Sequence, residues 1–210
     1  LGGNSDYYEL IIQKNAIIVR ANKPKGLFYG VQSLLQLINN YQRKGAVIIP
    51  CMQVQDRANL SWRGMHLNVG RNFYPVKTIK KYIDLMSYYK LNYFHWHLTE
   101  DQGWRVEIKK YPKLTEVGAW RKETLIGHYN DTPQRFDSTR YGGFYTQAEI
   151  RDIVNYAKDR YVEIVPEIEM PGHALAALAA YPEYGCQQKQ YEVATKWGVF
   201  DDIFCPTEET

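Results

Sequence analysis

Residues 92–105, NYFHWHLTEDQGWR, decide the fold. Asn92 to Thr99 reads as a strand apolar on both faces, and a charged, glycine-containing turn follows it at once. Such a strand belongs inside a parallel sheet covered by helices. Working outward, Trp62 to Val69 is a second strand and Tyr161 to Pro166 a third, expected to be buried. Pro75 fits a first helical turn, and Val76, Ile79, Ile83 and Met86 follow at helical spacing. Thr146-Gln147-Ala148-Glu149 is a capping box, and Ile150, Ile153, Val154 and Ala157 continue its helix. Alternating strands and helices predict an α/β fold, either an open doubly wound sheet or a barrel. The absence of a GxGxxG or Walker loop weakens the nucleotide-binding version.

Upstream the rhythm differs. Residues 7–20 read as a hairpin turning at Lys14-Asn15. Lys25 to Arg43 reads as a helix, with Leu27, Val31, Leu34, Leu35 and Ile38 on one buried face and Gly45 as a stop. Strand, strand and helix predict the end of a small α+β domain over residues 1–56, its opening strands missing. Residues 57–210 form a second domain.

The 210 residues are 45% hydrophobic and 23% charged, enough apolar material to exclude intrinsic disorder. With 26 basic against 23 acidic residues, the charge is too balanced for a nucleic-acid or membrane surface. No apolar run reaches the roughly 18 residues of a membrane span. The first residues, LGGNSD, show neither a signal peptide nor an initiator Met, so the chain reads as cut from something longer. Three cysteines make no disulfide scaffold and no CxxC metal spacing. Cys186 and Cys205 flank one loop and either pair in an oxidising compartment or stand as inert thiols.

In parallel α/β folds, functional groups gather where strands end at their C-terminal side. Three segments sit there: Asn68 to Arg71, Glu100 to Arg105, and Glu167 to His173. Converging, they supply one cation, several carboxylates and an imidazole. Arg71 offers a rigid fork of donors suited to adjacent hydroxyls or a carboxylate. Glu100 and Asp101 are placed to orient a histidine from the neighbouring strand, and Pro171-Gly172 swings His173 toward the rim. His95 and His97 share one strand face, which is also a metal-ligand spacing that His173 and Glu169 would nominally complete. No second ligand cluster supports a metal, and imidazoles filling the polar upper layer of a barrel are the preferred reading. Of the five tryptophans, Trp104 is the one expected to offer a sugar-stacking platform.

The run RGMHLNVGRNFYPVKTIKKYIDLMSYYKLNYFHWHLTEDQGWRVEI at 63–108, GGFYTQAEI at 142–150 and VPEIEMPGH at 165–173 closely resemble β-N-acetylhexosaminidases of glycoside hydrolase family 20. The likeness covers about residues 57–205. GLFYGVQSLLQL at 26–37 looks like the end of the small domain preceding that family's barrel. The resemblance implies the first part, about three β/α units, of a (β/α)8 TIM barrel. It also implies removal of terminal N-acetylglucosamine or N-acetylgalactosamine by a retaining, substrate-assisted reaction. There the substrate's own acetamido oxygen attacks the anomeric carbon to form an oxazolinium, an Asp orients the acetamido group, and the adjacent Glu protonates the leaving oxygen. No metal or other cofactor is implied.

Carried over by position, Arg71 matches the arginine that holds the sugar's O3 and O4, and His173 the histidine that bonds toward the catalytic acid. Glu100 stands where many members carry the Asp that orients this histidine. His97, Asp101 and Glu169 match as support behind them. The catalytic Asp-Glu pair is expected after Thr210, since Glu208-Glu209 follows no buried strand. The segment alone is accordingly expected to be neither stable nor active, the rest of the barrel being required. The alternatives are a metal-dependent barrel hydrolase using His95, His97 and His173, and a non-catalytic carbohydrate-binding relative. The family's usual work and a possible Cys186–Cys205 pair imply an extracytoplasmic location.

Overall fold

The computed structural model describes residues 6–187 and 189–206. They divide into two compact units, the first running through Met65 and including Lys81–Tyr93 and Tyr156–Glu163. The second holds His66–Lys80, Phe94–Asn155 and the chain from Ile164 onward.

In the first unit, strands β1 (Tyr8–Gln13) and β2 (Ala16–Ala21) form the expected hairpin, followed by helix α1 (Pro24–Tyr41). A strand that sequence reading did not find, β3 (Met52–Asp56), completes an antiparallel sheet in the order β2-β1-β3. Its signal was present, since Met52 and Val54 pack inward while Gln53 and Gln55 point out and donate to Glu9. Tyr8, Leu10, Ile12 and Tyr29 form the core.

The buried face of α1 is only partly the expected one, for Leu34 packs on the core with Phe28 and Leu37. Leu27, Val31 and Leu35 are 42–43% exposed, and the helix buries Gly26, Tyr29 and Gly30 instead. Close approach decides this. A Cβ at Gly26 would lie 2.2 Å from the Tyr7 carbonyl oxygen, and one at Gly30 would lie 2.4 Å from Val19 Cγ1. The glycine face therefore seats the helix on the sheet, against the count of apolar side chains. Lys90 fastens the 81–93 segment to the same unit, donating to Tyr8 Oη at 2.8 Å, Ser33 Oγ at 2.7 Å and Asp56 Oδ2 at 3.0 Å.

A second sheet is built from β4 (Gly64–Asn68), β5 (Tyr93–His97) and β6 (Glu163–Glu167), with β5 in the middle. Starts bond to starts, Asn92 N to Arg63 O and Glu163 N to Asn92 O. Ends bond to ends, Val69 N to His97 O and Leu98 N to Glu167 O. The strands are thus parallel. Helices α2 (Val76–Tyr88) and α3 (Gln147–Lys158) make the crossovers. Ile79, Ile83, Met86, Ile153 and Ala157 are buried as expected, but Val154 is exposed. Thr146 and Glu149 bond each other's backbone N–H, the reciprocal box read from the sequence.

Only β5 behaves as a buried strand. Phe94 and Trp96 are fully buried on one face, and His95 and His97 lie on the other. The third strand departs from expectation, for Glu163 and Pro166 are exposed. Of three strands, only the middle one has a neighbour on both sides. The chain holds the first part of a (β/α)8 barrel preceded by a small domain.

Candidate active site

Three rim segments converge beyond the strand ends. After β5 the chain makes a tight antiparallel turn in which Thr99 pairs with Trp104 and Glu100 with Gly103. Glu100, Asp101 and Gln102 are buried at this turn, so the carboxylates are no solvated loop pair. Gly70 of the neighbouring segment presses on them, because a Cβ there would sit 2.7 Å from Glu100 Cβ. Arg105 ties the rim together. Its wholly buried guanidinium donates to five backbone carbonyls, those of Val69, Gly70, Ala119, Gly143 and Gln102. Burial pulls its pKa down to about 10, which leaves it charged at neutral pH.

Arg71 is held through its backbone, which donates to Asn68 Oδ1 at 2.9 Å and accepts from Arg121 at 2.6 Å. Its guanidinium pairs with the buried Glu100 Oε1. Burial raises the Glu100 pKa, against the downward pull of the Asp101 N–H, Arg71 and His173.

His173 stands in the left-handed region at φ 50°, a conformation disfavoured for a residue with a Cβ. Its Nδ1 lies 3.0 Å from Asp101 Oδ2 and 3.2 Å from Glu100 Oε2. Asp101 also accepts from Leu175 N at 3.1 Å, at the start of helix α4 (Leu175–Ala180). The imidazole's hydrogen bond thus goes to Asp101, with Glu100 beside it.

Partial burial lowers the His173 pKa, but Asp101, Glu100 and Glu169 outweigh it and hold the group above the ordinary 6.5. A raised folded value favours the protonated ring. Its contribution to stability is complete below pH 6.5 and fades as pH rises through the folded value. An NMR titration of His173 should therefore show a midpoint above 6.5, and Asp101→Asn should lower it. A wild-type midpoint at or below 6.5 would contradict the geometry.

Behind this lies a layer of imidazoles and carboxylates. His97 places Nε2 3.2 Å from Glu169 Oε1 and Nδ1 3.6 Å from Glu167 Oε2, while His95 Nε2 approaches Glu167 at 2.6 Å. Burial takes the His97 pKa down to about 4, so the ring is neutral. His66, which sequence reading passed over, joins His95 and Glu167. Three triplets have ligand atoms within 4.8 Å of one another: His66-His95-Glu167, His97-Glu167-Glu169 and Glu100-Asp101-His173. Among the described residues, none unites His95, His97 and His173. That alternative metal constellation is not assembled, because each histidine is claimed by carboxylates from neighbouring segments.

Trp104 is no platform. It is buried in the core and donates its indole N–H to Val106 O at 2.7 Å. The exposed tryptophan at this rim is Trp197, whose ring lies 5.7 Å from the Arg71 guanidinium carbon. Cys186 and Cys205 form a disulfide, and Cys51 is an exposed free thiol. Glu208 and Glu209 lie outside the described residues.

Parallel strands carrying an arginine, paired carboxylates and a histidine at their C-terminal rim place a polar cluster where (β/α)8 barrels carry their active sites. The chain belongs to glycosyl hydrolase family 20, whose catalytic-domain model matches residues 60–210 and whose domain 2 model matches residues 3–57. A β-hexosaminidase of Porphyromonas gingivalis is 44% identical over 208 residues, 97% of this chain and 25% of that protein. The chain thus spans about a quarter of that relative's length. The crystal structure of a β-N-acetylhexosaminidase superposes with a TM-score of 0.87 at 34% identity, over 98% of this chain and 42% of that one. A mutant Streptomyces plicatus β-hexosaminidase in complex with product (GlcNAc) gives 0.84 at 35% identity, over 99% and 40%.

Proposed function

We propose that the whole protein removes terminal β-linked N-acetylglucosamine or N-acetylgalactosamine from non-reducing ends by substrate-assisted, retaining hydrolysis. The observation that carries this is the convergence of Glu100 and Asp101 on His173 Nδ1, with the Arg71 guanidinium fixed beside them. In this reading Arg71 grips the sugar's O3 and O4. His173, oriented through Nδ1, meets the catalytic acid through its other ring nitrogen. Its raised proton affinity favours the charged ring next to that acid. The acid and the Asp that positions the acetamido group would come from the rest of the barrel.

We place the domain boundary near residues 56–57. An extracytoplasmic location is supported by the Cys186–Cys205 disulfide. No helix among the described residues is long and apolar enough to cross a membrane.

The test is a chromogenic assay on the full-length protein. The N-acetyl-β-glucosaminide should turn over, and the matching β-glucoside, which lacks the acetamido nucleophile, should stay at background. Comparable turnover of both would overturn substrate assistance. Binding of N-acetylglucosamine without any hydrolysis would replace an enzyme with a carbohydrate-binding protein.

A further inference from the structure

The segment between Cys186 and Cys205 is tied at its root and pinned in its middle. Besides the disulfide, Cys205 N donates to Tyr184 O at 2.8 Å and Phe204 N to Pro171 O at 2.9 Å. In the middle, three consecutive residues are fastened to the site. Ala194 N donates to Asp101 O at 2.9 Å, Thr195 O accepts from Leu125 N at 2.9 Å, and Lys196 O accepts from Gln102 Nε2 at 3.0 Å. The next residue is Trp197, 45% exposed, with its ring over Arg71. Three anchors in a row fix the backbone from which that aromatic side chain projects.

A guanidinium is planar, and its donors point only within its plane. Glu100 fixes one end of the Arg71 fork, but a single carboxylate contact leaves the plane free to rotate about it. A ring whose centroid lies 5.7 Å from the guanidinium carbon narrows that rotation, and cation–π attraction favours orientations that keep the group over the ring. We infer that Trp197 is a positioning residue that sets the plane of the Arg71 fork, and so sets how strictly the site distinguishes the two C4 epimers, N-acetylglucosaminides from N-acetylgalactosaminides. This rests on Arg71 gripping O3 and O4. Those hydroxyls are both equatorial in the gluco sugar, while O4 is axial in the galacto sugar. A fork held in one plane matches one arrangement better, and a rotating fork serves both.

The experiment measures kcat and KM of the full-length protein on both chromogenic epimers. Trp197→Ala should raise KM for the preferred epimer by roughly three- to tenfold with a smaller change in kcat, and should narrow the epimer ratio of kcat/KM. Trp197→Phe, which keeps a ring, should recover most of both effects. An epimer ratio within about twofold of wild type in Trp197→Ala, on a protein whose thermal midpoint is unchanged, overturns the proposal. So does a Trp197→Phe variant no better than Trp197→Ala. Arg71→Ala separates this from the reading beneath it. If that variant is crippled while Trp197→Ala is normal, only the role of Trp197 fails. If Arg71→Ala is near normal, the sugar-gripping role fails and this proposal fails with it.

Discussion

Arg71→Ala in the full-length protein is expected to lower kcat/KM on an N-acetylglucosaminide by about two to three orders of magnitude. Two losses combine. Charge-assisted hydrogen bonds to the sugar hydroxyls are each worth about 1.5–3 kcal/mol, and one tenfold change in rate corresponds to about 1.4 kcal/mol. The second loss is inside the protein. Glu100 is buried, and its pKa is already raised with Arg71 opposing that rise. Without the guanidinium the carboxyl takes up a proton more readily, and His173 loses a charged neighbour. The acid limb of the pH profile should move upward in the variant. Arg71→Lys should stay well below wild type, because an ammonium's donors diverge from one nitrogen and cannot reproduce the planar fork on separate nitrogens. A value for Arg71→Ala within about fivefold of wild type would remove the residue from the site.

The largest effect on stability is expected at Arg105. Its guanidinium serves five backbone carbonyls, and no carboxylate among the described residues pairs with it. Those carbonyls belong to segments far apart in the chain, so one side chain closes the hydrogen-bond needs of several turns together. Arg105→Met fills part of the volume and leaves the acceptors buried and unsatisfied, at about 1–3 kcal/mol for each that water cannot reach. A loss of about 4 kcal/mol or more, read from urea or thermal unfolding of the full-length protein, or failure to accumulate as soluble protein, is expected. Gly103 shows how tightly the group is seated, for a Cβ there would meet the Arg105 guanidinium at 2.1 Å. A loss below about 1 kcal/mol would show that these acceptors find other partners.

Sequence reading reached the strand ends well because two signals coincide there. An apolar run marks the strand, and the abrupt charge after it marks the rim, as Leu98-Thr99-Glu100-Asp101 shows. It failed where long-range packing overrides a local pattern. The apolar stripe Leu27-Val31-Leu35 lost to glycines whose value lies only in how near another segment comes. Trp104 looked like a rim aromatic but faces the core. Trp197 is carried to the rim by backbone hydrogen bonds to residues 101, 102 and 125, which leave no trace in composition or periodicity. Arg105 was passed over for a related reason, since a buried arginine satisfied by carbonyls alone reads in sequence like a solvated one. His66 did carry a usable hint, as it precedes the charged rim by a few residues on its own strand and its ring lies against those of His95 and His97 one strand away.

Asp101 divides its two oxygens between the imidazole of His173 and the first N–H of α4. Glu100 shares the imidazole but holds no helix. The two neighbours therefore differ in the evolutionary freedom they allow. A lineage adapting this site to more acidic or more alkaline surroundings can shorten the carboxylate at position 100 from Glu to Asp in a single step and still keep a negative charge facing Arg71. At position 101 a change of side-chain length also unfastens a helix start, so an intermediate sequence is penalised in folding before it gains in chemistry. Drift in working pH among descendants of such a chain should accumulate at the first carboxylate and spare the second.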